Sequence, residues 1–311
     1  MRPRILIVEP FDFSPVALSR LREQADVELR EVSRSELKDA FMSYDVVWQR
    51  LAHRIDSEVI GVRPRCRVVA TPVTGIDHID LPACEAAGIK VVSLKGEVEF
   101  LKQVRATAEL TVGLAIGVMR RIPASMGSVL EGEWRRDLFR GNELFGKTVG
   151  IIGVGRLGTL VAGYFRAFGM EVLGFDVRSD FPEEITRVDL PELLRRSDLV
   201  TLHVSLNDST RMMFGTRELA GMKPGAWLVN TARGEVIDEA ALLGALERGH
   251  LRGAALDVLT GEPGVDGKHP VVAYARSHSN LLIAPHIGGN TFESFEKTEL
   301  FLAGRVLQVF Q

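Results

Sequence analysis

An arginine, a glutamate and a histidine stand at Arg233, Glu262 and His286, each shortly beyond an apolar run that reads as a strand. Together they could add a hydride to a carbonyl. A guanidinium's planar fork holds a carboxylate and polarises the neighbouring carbonyl oxygen. An imidazole can give that oxygen a proton near neutral pH. A carboxylate beside the imidazole raises its pKa and fixes its tautomer, the part expected of Glu262. Asp257, at the end of the preceding strand, could hold a nicotinamide carboxamide or tune the Arg233–His286 region. The set suits reduction of a 2-oxo acid, with Arg233 and His286 both catalytic and substrate-binding.

Such chemistry needs a hydride carrier, and Gly153-Val154-Gly155-Arg156-Leu157-Gly158 supplies a candidate site. An apolar run precedes this GxGxxG sequence, an amphipathic stretch follows, and a second run ends at Asp176, closing a βαβ unit. Gly153 permits the tight turn, Gly155 lets backbone approach a pyrophosphate, and Gly158 lets helix and strand pack closely. The amides of Arg156 and Leu157 would meet the pyrophosphate at the positive helix end. Asp176 would accept from a ribose 2′-hydroxyl and repel a 2′-phosphate, favouring NAD (NADH) over NADP, although Arg178 lies close by in sequence. Further candidate cofactor contacts follow other strand ends: His203 on the adenine side, Val204, Ser205, Thr210, Thr231, Ala232, Asp257 and Gly288.

The elements that must position these groups form two alternating series. Residues 5–8, Val46–Trp48, Val68–Thr71 and Lys90–Ser93 read as strands, with helices at 16–24 and 82–87. The second series has strands at Thr148–Ile152, Glu171–Phe175, 199–203, Ala226–Asn230, 254–257 and 281–284. Helices at 157–168 and 239–248 end at the stop glycines Gly169 and Gly249. Alternation of this kind predicts α/β architecture, two doubly wound parallel-sheet domains whose ligands bind beyond the carboxyl ends of strands. A chain of 311 residues exceeds one core. The expected division is 1–100 with 287–311 as a discontinuous substrate domain and 101–286 as the dinucleotide-binding domain. The stretch 107–121 is apolar all round, so it must be buried, either in its own domain or against a second subunit.

Composition narrows the function classes. A net charge of −3 gives no general attraction to nucleic acid or to an anionic membrane. The first apolar run is too short for a signal or a membrane span. Cys66 and Cys84 have neither paired nor metal-ligand spacing, so no metal site is expected and a reducing, cytoplasmic setting is.

At these residues the sequence resembles the D-isomer-specific 2-hydroxyacid dehydrogenases. The likeness rests on the GxGxxG segment, Asn230-Thr231-Ala232-Arg233-Gly234, Asp257 with Gly261-Glu262-Pro263, Pro285-His286-Ile287-Gly288-Gly289, and Thr74-Gly75-Ile76-Asp77-His78-Ile79-Asp80. The resemblance implies a Rossmann NAD domain, a flavodoxin-like substrate domain, and a homodimer built around the 107–121 helix region. It also implies Arg233, Glu262 and His286 as the working set, substrate carboxylate contacts from the amides around Thr74 and Gly75, and the D stereochemistry.

Within the family the likeness is to 3-phosphoglycerate dehydrogenases, through Ala108-Glu109-Leu110-Thr111, Gly132-Glu133-Trp134 and 141–147. Arg50 matches a phosphate-binding arginine there, and Arg135 or Arg136 would add another. Two features depart: 95–106 lacks the family loop's Asn-Ser core, and Thr71 stands where many of those enzymes have arginine. The expected partner is a small anionic 2-oxo or 2-hydroxy acid with a second negative group: phosphohydroxypyruvate, phosphonopyruvate, oxaloacetate or 2-oxoglutarate. Arg50, Lys95, Lys102 and Arg105 motivate that expectation. The alternative is an NAD(H)-sensing, corepressor-like protein without significant turnover. Glu262 speaks against a formate dehydrogenase, which resembles this pattern with Gln there. An S-adenosylmethionine-dependent methyltransferase would not need the Arg, Glu and His set.

Overall fold

Alternation along each strand sends side chains to opposite faces, and where both faces are apolar a sheet must be covered on both sides. The computed structural model, which describes residues 2–311, shows this arrangement twice. One compact unit comprises the chain up to Val104 with Asn290–Gln311; the other is Arg105–Gly289.

In the first unit, β1 (Arg4–Ile7), β2 (Asp26–Leu29), β3 (Val46–Trp48), β4 (Val68–Thr71) and β5 (Lys90–Ser93) form a parallel sheet ordered β2-β1-β3-β4-β5. Ile5 and Ile7 enter one apolar cluster, Leu6 and Val8 the other. The first cluster is completed by Leu302, Ala303, Val306 and Leu307 of the helix Phe292–Gln308, which packs on the helix Pro15–Gln24. Strand β2 was not expected. Its alternating Asp26 and Glu28 face solvent, so this edge strand lacks an apolar run. Cys66 and Cys84 are free and buried, and burial pushes their thiols up to about 12 and about 11.

In the second unit, β6 (Thr148–Ile152), β7 (Glu171–Phe175), β8 (Thr186–Arg187), β9 (Leu199–Leu202), β10 (Ala226–Asn230), β11 (Leu251–Leu256) and β12 (Leu281–Ile283) form a parallel sheet ordered β12-β11-β10-β9-β6-β7-β8. The order reverses at β6, whose neighbours β7 and β9 lead to opposite halves of the sheet. In doubly wound sheets that point opens the ligand crevice. Ala226 and Leu228 of β10 join one cluster, Trp227 and Val229 the other. The helix Ala106–Met119 covers the second face, packing on the helix Arg156–Ala167 and on β10, β11 and β12. Its all-round apolarity is thus largely used within its own unit.

The observed division falls a few residues later than expected at each junction. Residues 287–289 stay with the second unit because Asp257 binds the amides of Ile287 and Gly288. Among the described residues, no helix is long and apolar enough to cross a membrane, and no group of three or more His, Cys, Asp or Glu could hold a metal ion.

Candidate active site

The Gly-rich turn is built by close contacts. Gly153 leaves β6 at φ +87°, where a Cβ would sit 2.7 Å from the His203 carbonyl carbon and oxygen. At Gly158 a Cβ would lie 2.1 Å from the Gly153 oxygen, so the helix start presses directly on the turn. Gly155 differs: its nearest neighbour is an Arg178 nitrogen at 3.9 Å, and no side chain caps the helix it begins. Uncapped N–H groups beside an open approach are what a pyrophosphate requires.

Asp176 follows β7 and faces this turn. One carboxylate oxygen accepts from the Val154 amide at 2.8 Å, the other from the Arg178 amide at 2.9 Å and its Nε at 3.3 Å. Burial raises its pKa, but the Arg178 amide and guanidinium more than offset this, holding it below the usual value. An ionised carboxylate therefore stands where a ribose diol would be recognised. Arg178 also donates to the Val154 oxygen at 2.9 Å, and a cleft of about 360 Å³ opens here beside Gly155, Thr159 and Phe181. These residues fit a bound dinucleotide.

His203 follows β9. Its Nε2 lies 3.1 Å from the Thr201 hydroxyl, and burial pushes the imidazole down to about 3, so it is neutral. Val204 is half-buried and Ser205 exposed, while the Thr210 hydroxyl closes their loop by donating to the Ser205 oxygen at 2.7 Å. Thr231 and Ala232 are buried just past β10, with the Thr231 hydroxyl 2.9 Å from that of Thr111.

Three adjacent strands carry the reactive set. In the sheet Asn230 is level with Leu256, and Leu256 with Ile283. The segments bearing Arg233, Asp257–Glu262 and His286 therefore leave the same edge side by side. The Asn230 side chain folds the first by accepting from the Ala232 amide at 2.9 Å and donating to the Arg233 oxygen at 2.8 Å. Gly234 presses this turn onto the next segment, since a Cβ there would meet the Leu259 carbonyl carbon at 2.1 Å. In that segment Glu262 accepts from the Leu259 amide and, through its other oxygen, meets His286 Nδ1 at 2.5 Å.

Asp257 is the fixed point. Only 1% exposed, it accepts from the Ile287 amide at 2.7 Å and the Gly288 amide at 2.8 Å, while its own carbonyl accepts from the His286 amide at 2.7 Å. His286 is thereby held at φ +55°. Gly288 must be glycine, since a Cβ would fall 2.9 Å from the Asp257 carboxylate. Glu262 meets Nδ1 and leaves Nε2 at the other edge of the ring, and the two side chains are each 28% exposed.

The expected substrate residues of the first unit also lie beyond strand ends: Arg50 after β3, Thr74 and Gly75 after β4, Lys95 after β5. Arg50 is engaged within its own unit. Its guanidinium binds the fully buried Glu299 carboxylate at 2.7 and 3.0 Å and the Phe11 oxygen at 2.9 Å, and stacks on Phe295. A buried carboxylate demands such a partner, so this cation offsets the Glu299 charge inside its own unit. Lys102 is paired with Glu99 at 2.8 Å. Lys95 is exposed and makes no ion pair among the described residues.

Comparisons with known proteins identify the family. Residues 112–288 match the family model described as D-isomer specific 2-hydroxyacid dehydrogenase, NAD binding domain. The chain is 34% identical to a D-3-phosphoglycerate dehydrogenase of Methanocaldococcus jannaschii, over 99% of this chain but 57% of that protein. It is 33% identical to a hydroxypyruvate reductase of Thermotoga maritima, over 99% of this chain and 98% of that protein. A D-lactate dehydrogenase of Aquifex aeolicus, solved with NAD and lactic acid, superimposes with TM-score 0.83 at 28% identity, covering 99% of this chain and 95% of that one.

Proposed function

This chain belongs to the D-isomer-specific 2-hydroxyacid dehydrogenase family, NAD-dependent oxidoreductases, and from that premise we propose that it reduces a small 2-oxo acid at C2 with Arg233, Glu262 and His286. The observation that carries the reading is the 2.5 Å contact of His286 Nδ1 with Glu262, on a segment flanking the Arg233 turn. When bound, the nicotinamide supplies or accepts the hydride. Arg233 holds the substrate carboxylate and polarises the C2 oxygen. His286 donates the proton from Nε2 as that oxygen gains charge, and Glu262 steadies the ring and the charge it carries before donation. In the reverse direction the same imidazole takes the hydroxyl proton.

The second substrate group is the finer question. With Arg50 and Lys102 bound to Glu299 and Glu99, Lys95 is, of the first-unit cations expected at the substrate, the one left to receive a second negative group. On this proposal the substrate is phosphohydroxypyruvate, phosphonopyruvate or a dicarboxylate, with Thr74 and Gly75 amides on its carboxylate. The engagement of Arg50 favours a second reading, a singly anionic acid such as hydroxypyruvate. Turnover of NADH and NADPH with a panel of 2-oxo acids decides between them by kcat/KM. A Lys95→Ala substitution that weakens only the doubly anionic substrates supports the first reading. No turnover above an Arg233→Ala control would overturn both and favour a binding protein that senses NAD(H).

We further place a homodimer contact just after the helix Ala106–Met119. The helix Ile122–Leu130 has no buried residue, and Met126, Leu130 and Trp134 are respectively 62%, 76% and 86% exposed. A patch of this kind calls for a partner. Met126→Asp with Leu130→Asp should convert a dimer to a monomer in light scattering; a wild-type chain that is monomeric at all concentrations removes the proposal.

A further inference from the structure

Behind Glu262 lies a second carboxylate–imidazole pair that the reaction does not touch. Glu239 opens the helix Glu239–Glu247, whose cap is Asp238 rather than Glu239 itself. The Glu239 side chain turns to the Glu262 segment: one oxygen accepts from the Thr260 amide at 2.8 Å, the other lies 3.5 Å from His269 Nε2. That nitrogen is also 3.2 Å from the Thr260 carbonyl oxygen. Both neighbours of Nε2 are acceptors, so the proton sits on Nε2. Nδ1 is buried without a hydrogen-bond partner. Both side chains are only 17% exposed.

Successive amides are thus held by two carboxylates, Leu259 by Glu262 and Thr260 by Glu239. On its other side the same dipeptide is pressed by Gly234, where a Cβ would fall 2.1 Å from the Leu259 carbonyl carbon and 2.3 Å from the Thr260 nitrogen. It is wedged between the turn bearing Arg233 and the Glu239–His269 pair. Any retreat of Thr260 from Glu239 carries Leu259 with it, and Leu259 is what holds the Glu262 oxygen opposite His286.

We propose that Glu239 and His269 are positioning residues, which clamp Thr260 so that Glu262 reaches His286 Nδ1. The proposal rests on the roles given above to Glu262 and His286. It is tested on the NADH-bound enzyme with Glu239→Ala, Glu239→Gln and Glu239→Asp, beside His286→Ala. Two readouts are steady-state kinetics and the far-downfield proton signal of the His286 Nδ1–H, identified by its loss in His286→Ala.

Glu239→Ala should lower kcat about tenfold by displacing the acid–base pair, and should shift or broaden the downfield signal. KM and the NADH dissociation constant should stay within about twofold, because the proposal gives Glu239 no part in binding either ligand. Glu239→Gln keeps an acceptor for the Thr260 amide and should restore most of kcat. An unchanged kcat in Glu239→Ala, or a fall with the downfield signal unmoved, overturns the proposal. Should Glu239→Ala not fold, Glu239→Asp draws the carboxylate back by one methylene and must move both readouts; if neither moves, the proposal is lost. If His286→Ala itself retains wild-type kcat, the catalytic reading fails instead.

Discussion

Replacing Asp257 by asparagine isolates what the buried carboxylate does for the turn that carries His286. Both oxygens accept backbone protons, from Ile287 at 2.7 Å and Gly288 at 2.8 Å. Asparagine keeps one acceptor and puts an N–H where the other stood, so one amide faces a donor. A hydrogen bond to a charged group contributes about 1.5–3 kcal/mol, and a buried amide left unmatched costs about 1–3 kcal/mol. These describe one loss and are not summed. Opposing it, burial raises the Asp257 pKa, so the carboxylate bears a desolvation cost that a neutral side chain relieves. The net expectation is about 2 kcal/mol of destabilisation, or a Tm lower by about 4–8 °C. The catalytic effect should be larger in proportion, since His286 at φ +55° depends on this clamp; kcat should fall about 10²-fold for a shift near 1 Å. Calorimetry, steady-state NADH oxidation and a fluorescence titration of NADH give the three quantities. Unchanged Tm and kcat would refute the clamp. A large loss of NADH affinity with kcat retained would instead assign Asp257 to the nicotinamide carboxamide.

His286→Ala should lower kcat by about 10²–10⁴, measured with saturating NADH, while Arg233→Ala should raise KM and lower kcat together, because it serves both ground state and transition state. Gly158→Ala drives a methyl to 2.1 Å from the Gly153 oxygen; a stability loss of about 1–3 kcal/mol and weaker NADH binding are expected from urea unfolding and titration. For Asp45, Asp56, Asp176 and Asp198, burial raises the pKa but Arg65, Arg34, Arg178 and Lys223 outweigh it, leaving folded values below normal. Their stabilisation is present above the unfolded pKa of about 3.9 and disappears as pH falls through the folded values. Asp257 and Glu299, raised by burial, act in the opposite sense and gain on protonation. Glu28 and Glu36 are also lowered, so six lowered carboxylates stand against two raised ones and the urea midpoint should drop below about pH 4; a midpoint that rises there contradicts the balance.

What was legible in the chain was what local pattern encodes. Gly153 and Gly158 announce a turn because a Cβ at either would clash, Gly155 because it leaves the approach open, and Arg233, Glu262 and His286 stand out because each follows an apolar strand. The 106–119 helix showed that it must be buried but not against what, since an all-round apolar surface names no partner. β2 escaped because an edge strand needs only half its residues apolar. The ion pair of Arg50 was hidden for a different reason: Glu299, which engages it, lies 249 residues away. Glu239 and His269 carry no motif at all. Their significance exists only once Thr260 is folded between them and Gly234.

The return of residues 290–311 to the first unit also sets an order of events during synthesis. Leu302, Ala303, Val306 and Leu307 fill the cluster around Ile5 and Ile7, yet Arg105–Gly289 must be translated in between. At typical elongation rates that interval is about 10–40 s. The inserted unit can fold within it, whereas the N-terminal strands leave the ribosome with one face uncovered. Nascent chains stalled before residue 302 should therefore be the ones that recruit chaperones.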